Sequence, residues 1–322
     1  MNTTGEIFRL TTFGESHGVA IGGVIDGCPS GLRIDFKQIA EELARRATGA
    51  TPSASQRKEA DGVEFLSGLL DGVTLGTPIA FMVRNTDARP EDYEAMKEVF
   101  RPSHADFTFQ QKYGIRDYRG GGRASARTTL PVVVAGAIAK QWLSNHHVEI
   151  HAAVESIGGV NDSYDIEELF QECRMKGDSV GGMVKGSIKG LPAGLGEPMF
   201  DKFQACLAKA MFSIPAVKGF EYGDGFAMAG MRGSEANDPV VVGEDGSVSF
   251  LSNHSGGIQG GITNGEEVFF RVAFKPIPTI GRGDRHDVCV LPRALVIVEA
   301  MAALITIDAF LLHERRRFLL AN

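Results

Sequence analysis

Cysteine is scarce and badly spaced for a structural role. The four residues Cys28, Cys173, Cys206 and Cys289 form no C-x-x-C, and no His-x-x-His pair accompanies them, so neither a zinc site nor a disulfide framework is indicated. Reduced cytosolic thiols fit this usage, and a cytoplasmic protein is expected. Positive charge is also short: 33 Lys and Arg against 40 Asp and Glu give a net charge of −7 and a pI near 5.7. A nucleic-acid-binding domain is normally basic, so that class is disfavoured. Residues 1–10 contain Glu6 and Arg9 and lack the apolar core of a signal peptide. The apolar stretch Ala294–Leu312 is interrupted by Glu299 and Asp308, which points to a buried core helix and away from a membrane span. There is no repeat and no Walker motif. The run Gly256-Gly257-Ile258-Gln259-Gly260-Gly261 opens no amphipathic helix, so a dinucleotide fingerprint is not supported.

What is abundant is glycine. Forty glycines, spread as pairs and triplets, indicate tight turns and close backbone approaches; with 43% apolar residues, the 322-residue chain can bury one large core or two moderate ones. Asp35 reads as the cap of a helix with Gln38 in capping-box position, Ile39 and Leu43 on one face and Gly49 past its end. That helix delivers Arg45 and Arg46 to its last turn, where the helix dipole also favours cations. A second, buried helix is expected from Pro131 to Leu143, and further helices over about 201–212 and 292–313. Strands are expected at Val148–Val154, Gly182–Ile188, Phe226–Met231, Val240–Val242 and Val268–Phe274. The elements do not alternate β-α-β-α, so the class is α+β with antiparallel sheets.

One segment concentrates chemistry. Between 101 and 127 stand six cations (Arg101, Lys112, Arg116, Arg119, Arg123, Arg127) against two aspartates, a local +4 within an acidic chain. With three consecutive glycines (Gly120–Gly122) and few lysines, this reads as a site for a small polyanion, because the Arg fork matches phosphate and carboxylate. It leads into the Pro131 helix, whose N-terminal end suits an anion. Three histidine clusters stand apart: Gly14-Glu15-Ser16-His17-Gly18, Arg101-Pro102-Ser103-His104, and Asp284-Arg285-His286-Asp287. Imidazole beside an Arg-rich segment suggests general-acid chemistry. A metal site is unsupported.

Together these motifs resemble the chorismate synthase family, from Gly5 to about His313. The resemblance rests on Thr11–Gly18, on Phe100–Asp106 continuing to Arg127, and on Arg285-His286-Asp287 with Pro292-Arg293-Ala294 and Glu299-Ala300-Met301. It implies a β-α-β sandwich, a homotetramer, a cytoplasmic shikimate-pathway enzyme, and use of reduced FMN. The implied reaction is 1,4-anti elimination of phosphate from 5-enolpyruvylshikimate 3-phosphate, without net redox change. Some members also reduce their own flavin with NADPH. Carried over by motif, His17, His104 and Asp287 would be catalytic, and Arg46 and Arg127 would bind the substrate. Arg123, Ala124, Ser125, Glu235, Ala236, Gly260, Lys275, Pro276, Ile277, Pro278, Thr279 and Arg285 would hold the flavin. The chain departs from the family at Ala47, Thr48 and Pro52, at Thr128 where the family has Glu, at Val296 where it has Pro, and in the short connection from Thr279 to Arg285. Two rival readings are a flavin-dependent oxidoreductase with net hydride transfer and a non-catalytic polyanion-binding protein.

Overall fold

The computed structural model describes residues 1–47, 62–86, 90–278, 280–281 and 287–320, without the side chains of 90–92 and 317–320. The chain first lays down β1 (Thr3–Thr4), β2 (Arg9–Phe13) and β3 (Ala20–Asp26), followed by helix α1 (Phe36–Arg46). After β4 (Glu64–Phe65) and a small hairpin of β5 (Leu69–Leu70) and β6 (Val73–Thr74), strand β7 (Ile79–Arg84) completes a five-stranded antiparallel sheet ordered β1-β2-β3-β7-β4. Helices α2 (Asp106–Tyr113) and α3 (Leu130–Ser144) precede β8 (Glu149–Ile157), α4 (Ser163–Lys176), β9 (Gly182–Lys189), α5 (Phe203–Phe212) and β10 (Val217–Tyr222). The single turn α6 (Gly233–Ala236) and the hairpins β11–β12 (Val240–Val242, Val248–Phe250) and β13–β14 (Ile258–Gln259, Ile262–Thr263) lead to β15 (Val268–Phe274) and the long α7 (Leu291–Leu320). The second sheet is antiparallel, in the order β10-β15-β9-β8.

Helices α3 and α7 pack against each other between the sheets, α3 against β2 and β3 and α7 against β8 and β9. This is the α+β, β-α-β sandwich the motifs imply. A helix covered on both sides has no polar stripe, and α3 is buried from Leu130 to Ala139. Gly136 marks the closest crossing: a β-carbon there would sit 2.4 Å from the Ala300 β-carbon on α7. The apolar stretch read as a core helix is one. It alone among the described helices is long and apolar enough to cross a membrane, yet 72% of that window is buried inside the protein.

Two local readings need correction. Phe226–Met231 is not a strand; Gly225–Gly230 forms a 3-10 helix, with Gly223 and Gly225 both at positive φ, which breaks extended backbone. The capping box at Asp35 is only half made. Asp35 Oδ1 accepts from the Lys37 and Gln38 amides (2.9 and 3.1 Å), but the Asp35 amide donates to Gln141 Oε1 of α3 at 2.9 Å, and Gln141 Nε2 returns a bond to Asp35 O. A tertiary partner has taken the role expected of Gln38. Gly49, Thr48 and Pro52 lie outside the described residues.

The α1–α3–α7 contact carries a buried charge cluster. Arg45 makes a two-pronged bond to Glu299 (2.7 and 2.8 Å), and Lys140 bridges Glu299 (2.6 Å) and Glu42 (2.9 Å). Glu299 also accepts from the Ala152 amide at 3.2 Å, and is 2% exposed. Burial alone would raise the Glu299 carboxyl; the Arg45 hydrogen bond and the Lys140 charge outweigh it and hold it below the usual carboxylate range. The last turn of α1 is thus fixed, with Arg46 beside it.

Candidate active site

A cavity of about 1010 Å³ opens where the end of β15, the start of α7, the turn after α5 and the Arg101–Ala126 segment converge. Its lining includes the apolar residues Ile214, Pro215, Phe274, Ile277, Pro278 and Ile297, and the cations Arg46, Arg101, Lys275 and Arg293 with His104 and the single carboxylate Asp287. Such a volume lies at the upper end of the usual range for small-molecule clefts, about 300–1,000 Å³. Ser103, at the rim, holds a left-handed backbone (φ 55), and its carbonyl accepts from Lys275 Nζ at 3.1 Å.

The glycine triplet makes this geometry possible. Gly120, Gly121 and Gly122 all have positive φ (59, 84 and 52), a succession that side chains resist. They were expected to bring backbone amides to a ligand; the structure shows that they also make room for side chains of the protein itself. A β-carbon on Gly120 would fall 2.2 Å from the His17 ring, and one on Gly121 3.0 Å from the His104 ring. The triplet seats the two histidines, 87 positions apart in the sequence, against one turn.

His104 is held through Asp106. Its Nδ1 lies 3.0 Å from Asp106 Oδ1 and 3.1 Å from Arg101 Nη2. Arg101 can only donate and is already committed to Asp106 through Nε (2.8 Å), Nη2 (2.9 Å) and its amide (3.1 Å), so the network assigns the Nδ1 proton to the His104–Asp106 bond. The ligand side is left to Nε2. Burial first, and then the Arg101 charge, push the His104 pKa down, with Asp106 opposing. Burial would raise Asp106; the Arg101 hydrogen bonds and the neighbouring positive charges outweigh it and keep it well below the usual carboxylate range. Burial and Arg101 together thus favour the neutral imidazole of His104.

His17 sits one layer back. It is 7% exposed, its Nδ1 is 3.0 Å from Ser16 Oγ, and Tyr93 packs edge-on to it at 4.8 Å. Tyr93 and Gly120 line the cavity in front of it. The turn carrying His17 is pinned by Asn85, whose Nδ2 donates to Glu15 O (3.1 Å) and Gly18 O (2.8 Å) and whose Oδ1 accepts from Arg127 Nε (3.1 Å).

Arg46, His104, Ala124, Ser125, Lys275, Ile277, Pro278 and Asp287 line the cavity; Pro276, between Lys275 and Ile277 in the chain, does not. Arg123 does not line it. Its guanidinium turns to the N-terminal strands, donating to Gly14 O (3.0 Å), Thr12 Oγ1 (2.7 Å) and Asn2 Oδ1 (3.2 Å), and lines an adjoining cleft of about 1040 Å³ that His104 also borders. Arg127 is buried beside Asn85, behind the wall. Glu235 and Ala236 lie in α6, where Glu235 Oε2 accepts from the Arg232 amide, and Gly260 is in the β13–β14 turn; none of the three borders the cavity. Thr279 and Arg285 fall outside the described residues. The density of arginines overstated the ligand site: Arg116 is 5% exposed at its side chain and donates to the carbonyls of Met96, Lys97 and Val99, and Arg119 pairs with Asp117. Tyr93, Asp106 and Arg293 are the site residues that sequence reasoning passed over. Asp106 and Arg293 stand inside the motifs Phe100–Asp106 and Pro292-Arg293-Ala294 but were given no role there; Tyr93 carried no local signal.

The chorismate synthase family profile matches residues 8–311. The chorismate synthase of Porphyromonas gingivalis is 50% identical over 358 aligned positions, covering 98% of this chain and 97% of the relative; that of Christiangramia forsetii is 50% identical over 353, covering 97% and 98%. Alignments longer than the 322-residue chain place gaps in it, in keeping with its short 279–285 connection. A crystal structure of chorismate synthase superposes with a TM-score of 0.79 at 32% identity, over 96% of this chain and 93% of the other. The extent of these matches agrees with the fold and with a polyanion-sized cavity flanked by His104 and Asp287, and on both grounds this chain belongs to the chorismate synthase family.

Proposed function

We propose that this lyase converts 5-enolpyruvylshikimate 3-phosphate to chorismate and phosphate with reduced FMN in the cavity bounded by His104, Asp287 and Arg46. The observation that carries the reading is a single cavity lined both by apolar side chains and by a cluster of cations with one carboxylate. The substrate bears two carboxylates and a phosphate, roughly −3.5 to −4 near neutral pH. Arg46, Arg101 and Lys275 supply charge of the opposite sign, Arg293 being engaged with Asp287. Phe274, Ile277 and Pro278, with Ala124 and Ser125, give this cavity the apolar and small side chains that a flavin ring needs, so the residues present fit the cofactor. Reduced FMN, when bound, lends electron density to the elimination and regains it.

This chain's residues do the rest. The elimination breaks the C–O bond to phosphate and a C–H bond at C6 and forms one C=C bond. His104 receives the departing phosphate: an incoming dianion raises the pKa that burial and Arg101 have lowered, so the imidazole takes up a proton where it is needed. Asp287 helps to carry off the C6 hydrogen. His17, behind Gly120, holds or protonates the reduced cofactor. Arg127 braces Asn85 and the His17 turn; Arg123, Glu235, Ala236, Gly260, Thr279 and Arg285 would complete the flavin environment, in part through the homotetramer the family implies. We take 1–322 to act as one domain in the cytoplasm, with no membrane or nucleic-acid partner. NADPH as the reductant has no fingerprint in this chain.

The test is anaerobic phosphate release from the enolpyruvyl substrate with photoreduced FMN. Turnover without stoichiometric flavin oxidation is expected, and none with oxidised FMN. Equal rates with oxidised FMN, or one flavin oxidised per chorismate, would point to another reaction.

A further inference from the structure

Arg293 opens α7 behind Pro292 and ties two edges of the cavity together. Its Nη1 donates to Asp287 Oδ2 at 2.6 Å, and its Nε donates to the carbonyl of Arg46 at 3.0 Å. Both side chains of the ion pair are 13% exposed, so solvent screens the contact little. The Arg46 carbonyl stands in the last turn of α1, where the helix dipole favours a cation. α1 itself is held to α7 one turn further on by the Arg45–Glu299 bonds. A single planar guanidinium therefore joins the carboxylate of Asp287 to the backbone that carries Arg46.

We propose that Arg293 is a positioning residue for the elimination. It fixes the orientation of Asp287 and sets its distance from Arg46, so that the anion seat and the hydrogen acceptor stay in register on one substrate. The proposal rests on the reading of Asp287 given above. Lysine cannot replace it: an ammonium offers one head, while the two bonds leave Arg293 from Nε and Nη1 in a fixed fork. Misplacing a reacting group by about 1 Å can cost about 10²-fold in rate, whereas a merely structural role would show as lost stability or lost substrate affinity.

The experiment compares Arg293→Lys, Arg293→Met and Asp287→Asn in the full-length enzyme. It measures kcat with protiated and C6-deuterated substrate, substrate Kd by calorimetry, Tm, and rescue of Arg293→Met by guanidinium ion. Expected are a kcat loss of about 10²-fold in both Arg293 variants, an enlarged C6 isotope effect, unchanged Kd, and partial rescue by guanidinium but not by ammonium. Native kcat in Arg293→Lys with a loss in Asp287→Asn overturns this inference alone. So do Kd and Tm falling in step with kcat while the isotope effect stays constant. Native kcat in Asp287→Asn overturns the reading beneath it as well.

Discussion

Gly120 and His17 are in contact through an atom that is not there: a β-carbon at 120 would lie 2.2 Å from both Cε1 and Nδ1 of the imidazole. Only the missing side chain lets His17 reach the back of the cavity wall.

Gly120→Ala should therefore displace His17 and lower kcat together with stability, by about 1–3 kcal/mol for the overpacking. Gly114→Ala is the matched control, since Gly114 also has positive φ (73) but nothing lies within 4 Å of its β-position. It should show the backbone strain alone and keep its kcat. Equal activity losses in the two would mean that the His17 contact is irrelevant to turnover.

Asp106→Asn removes the partner of His104 and leaves Arg101 and Arg116 facing each other, a buried imbalance worth about 3–5 kcal/mol. It should also drive the His104 pKa lower still, because Asp106 is what opposes burial and Arg101. The folded-state pKa of His104 is depressed, so its contribution to stability is present above the unfolded value near 6.5 and is lost as pH falls through the folded value. Titration of His104 by NMR in both proteins checks the direction. An unchanged or higher pKa in Asp106→Asn would refute the assigned network.

Lys140 belongs to the buried cluster with Glu42 and Glu299. Lys140→Ala should raise the Glu299 pKa and lower Tm. Glu299 has a depressed folded pKa, so the stability it gives is present above the unfolded value near 4.3 and lost as pH falls through the folded one. The variant's acid unfolding should accordingly begin at higher pH, as followed by circular dichroism. The exposed Lys189 is the proper control for Arg123→Ala, which should weaken ligand binding by about 1.5–3 kcal/mol. A Lys140→Ala acid transition that coincides with the native one would mean the cluster contributes nothing.

His17→Ala, His104→Ala and Asp287→Ala should each lower kcat by about 10²- to 10⁴-fold, with flavin content near native, while His151→Ala, exposed on β8, should not. Anaerobic stopped-flow of flavin absorbance and chorismate formation separates the cases. Near-native kcat with a raised KM would recast the two histidines as binding groups.

The sequence by itself determined what local patterning can determine. The α3 and α7 helices follow from apolar runs, because a doubly covered helix needs no polar face, and the strands at 182–189 and 268–274 follow from alternating patterns with one face buried. The motifs carried the family and named His104, Asp287 and Arg46. Tertiary structure decided what each charge does. Arg116, Arg119 and Arg123 look equivalent along the chain; one braces carbonyls, one pairs with Asp117 and one turns to the N-terminal strands, because the positive-φ turn at 120–122 reverses the backbone between them. Gln141 took over the cap of α1, and Arg293 joined Asp287 to Arg46, through contacts 106 and 247 residues apart. Hydrogen bonds across such separations depend on how the two sheets clasp the helix pair, and no local spacing encodes that.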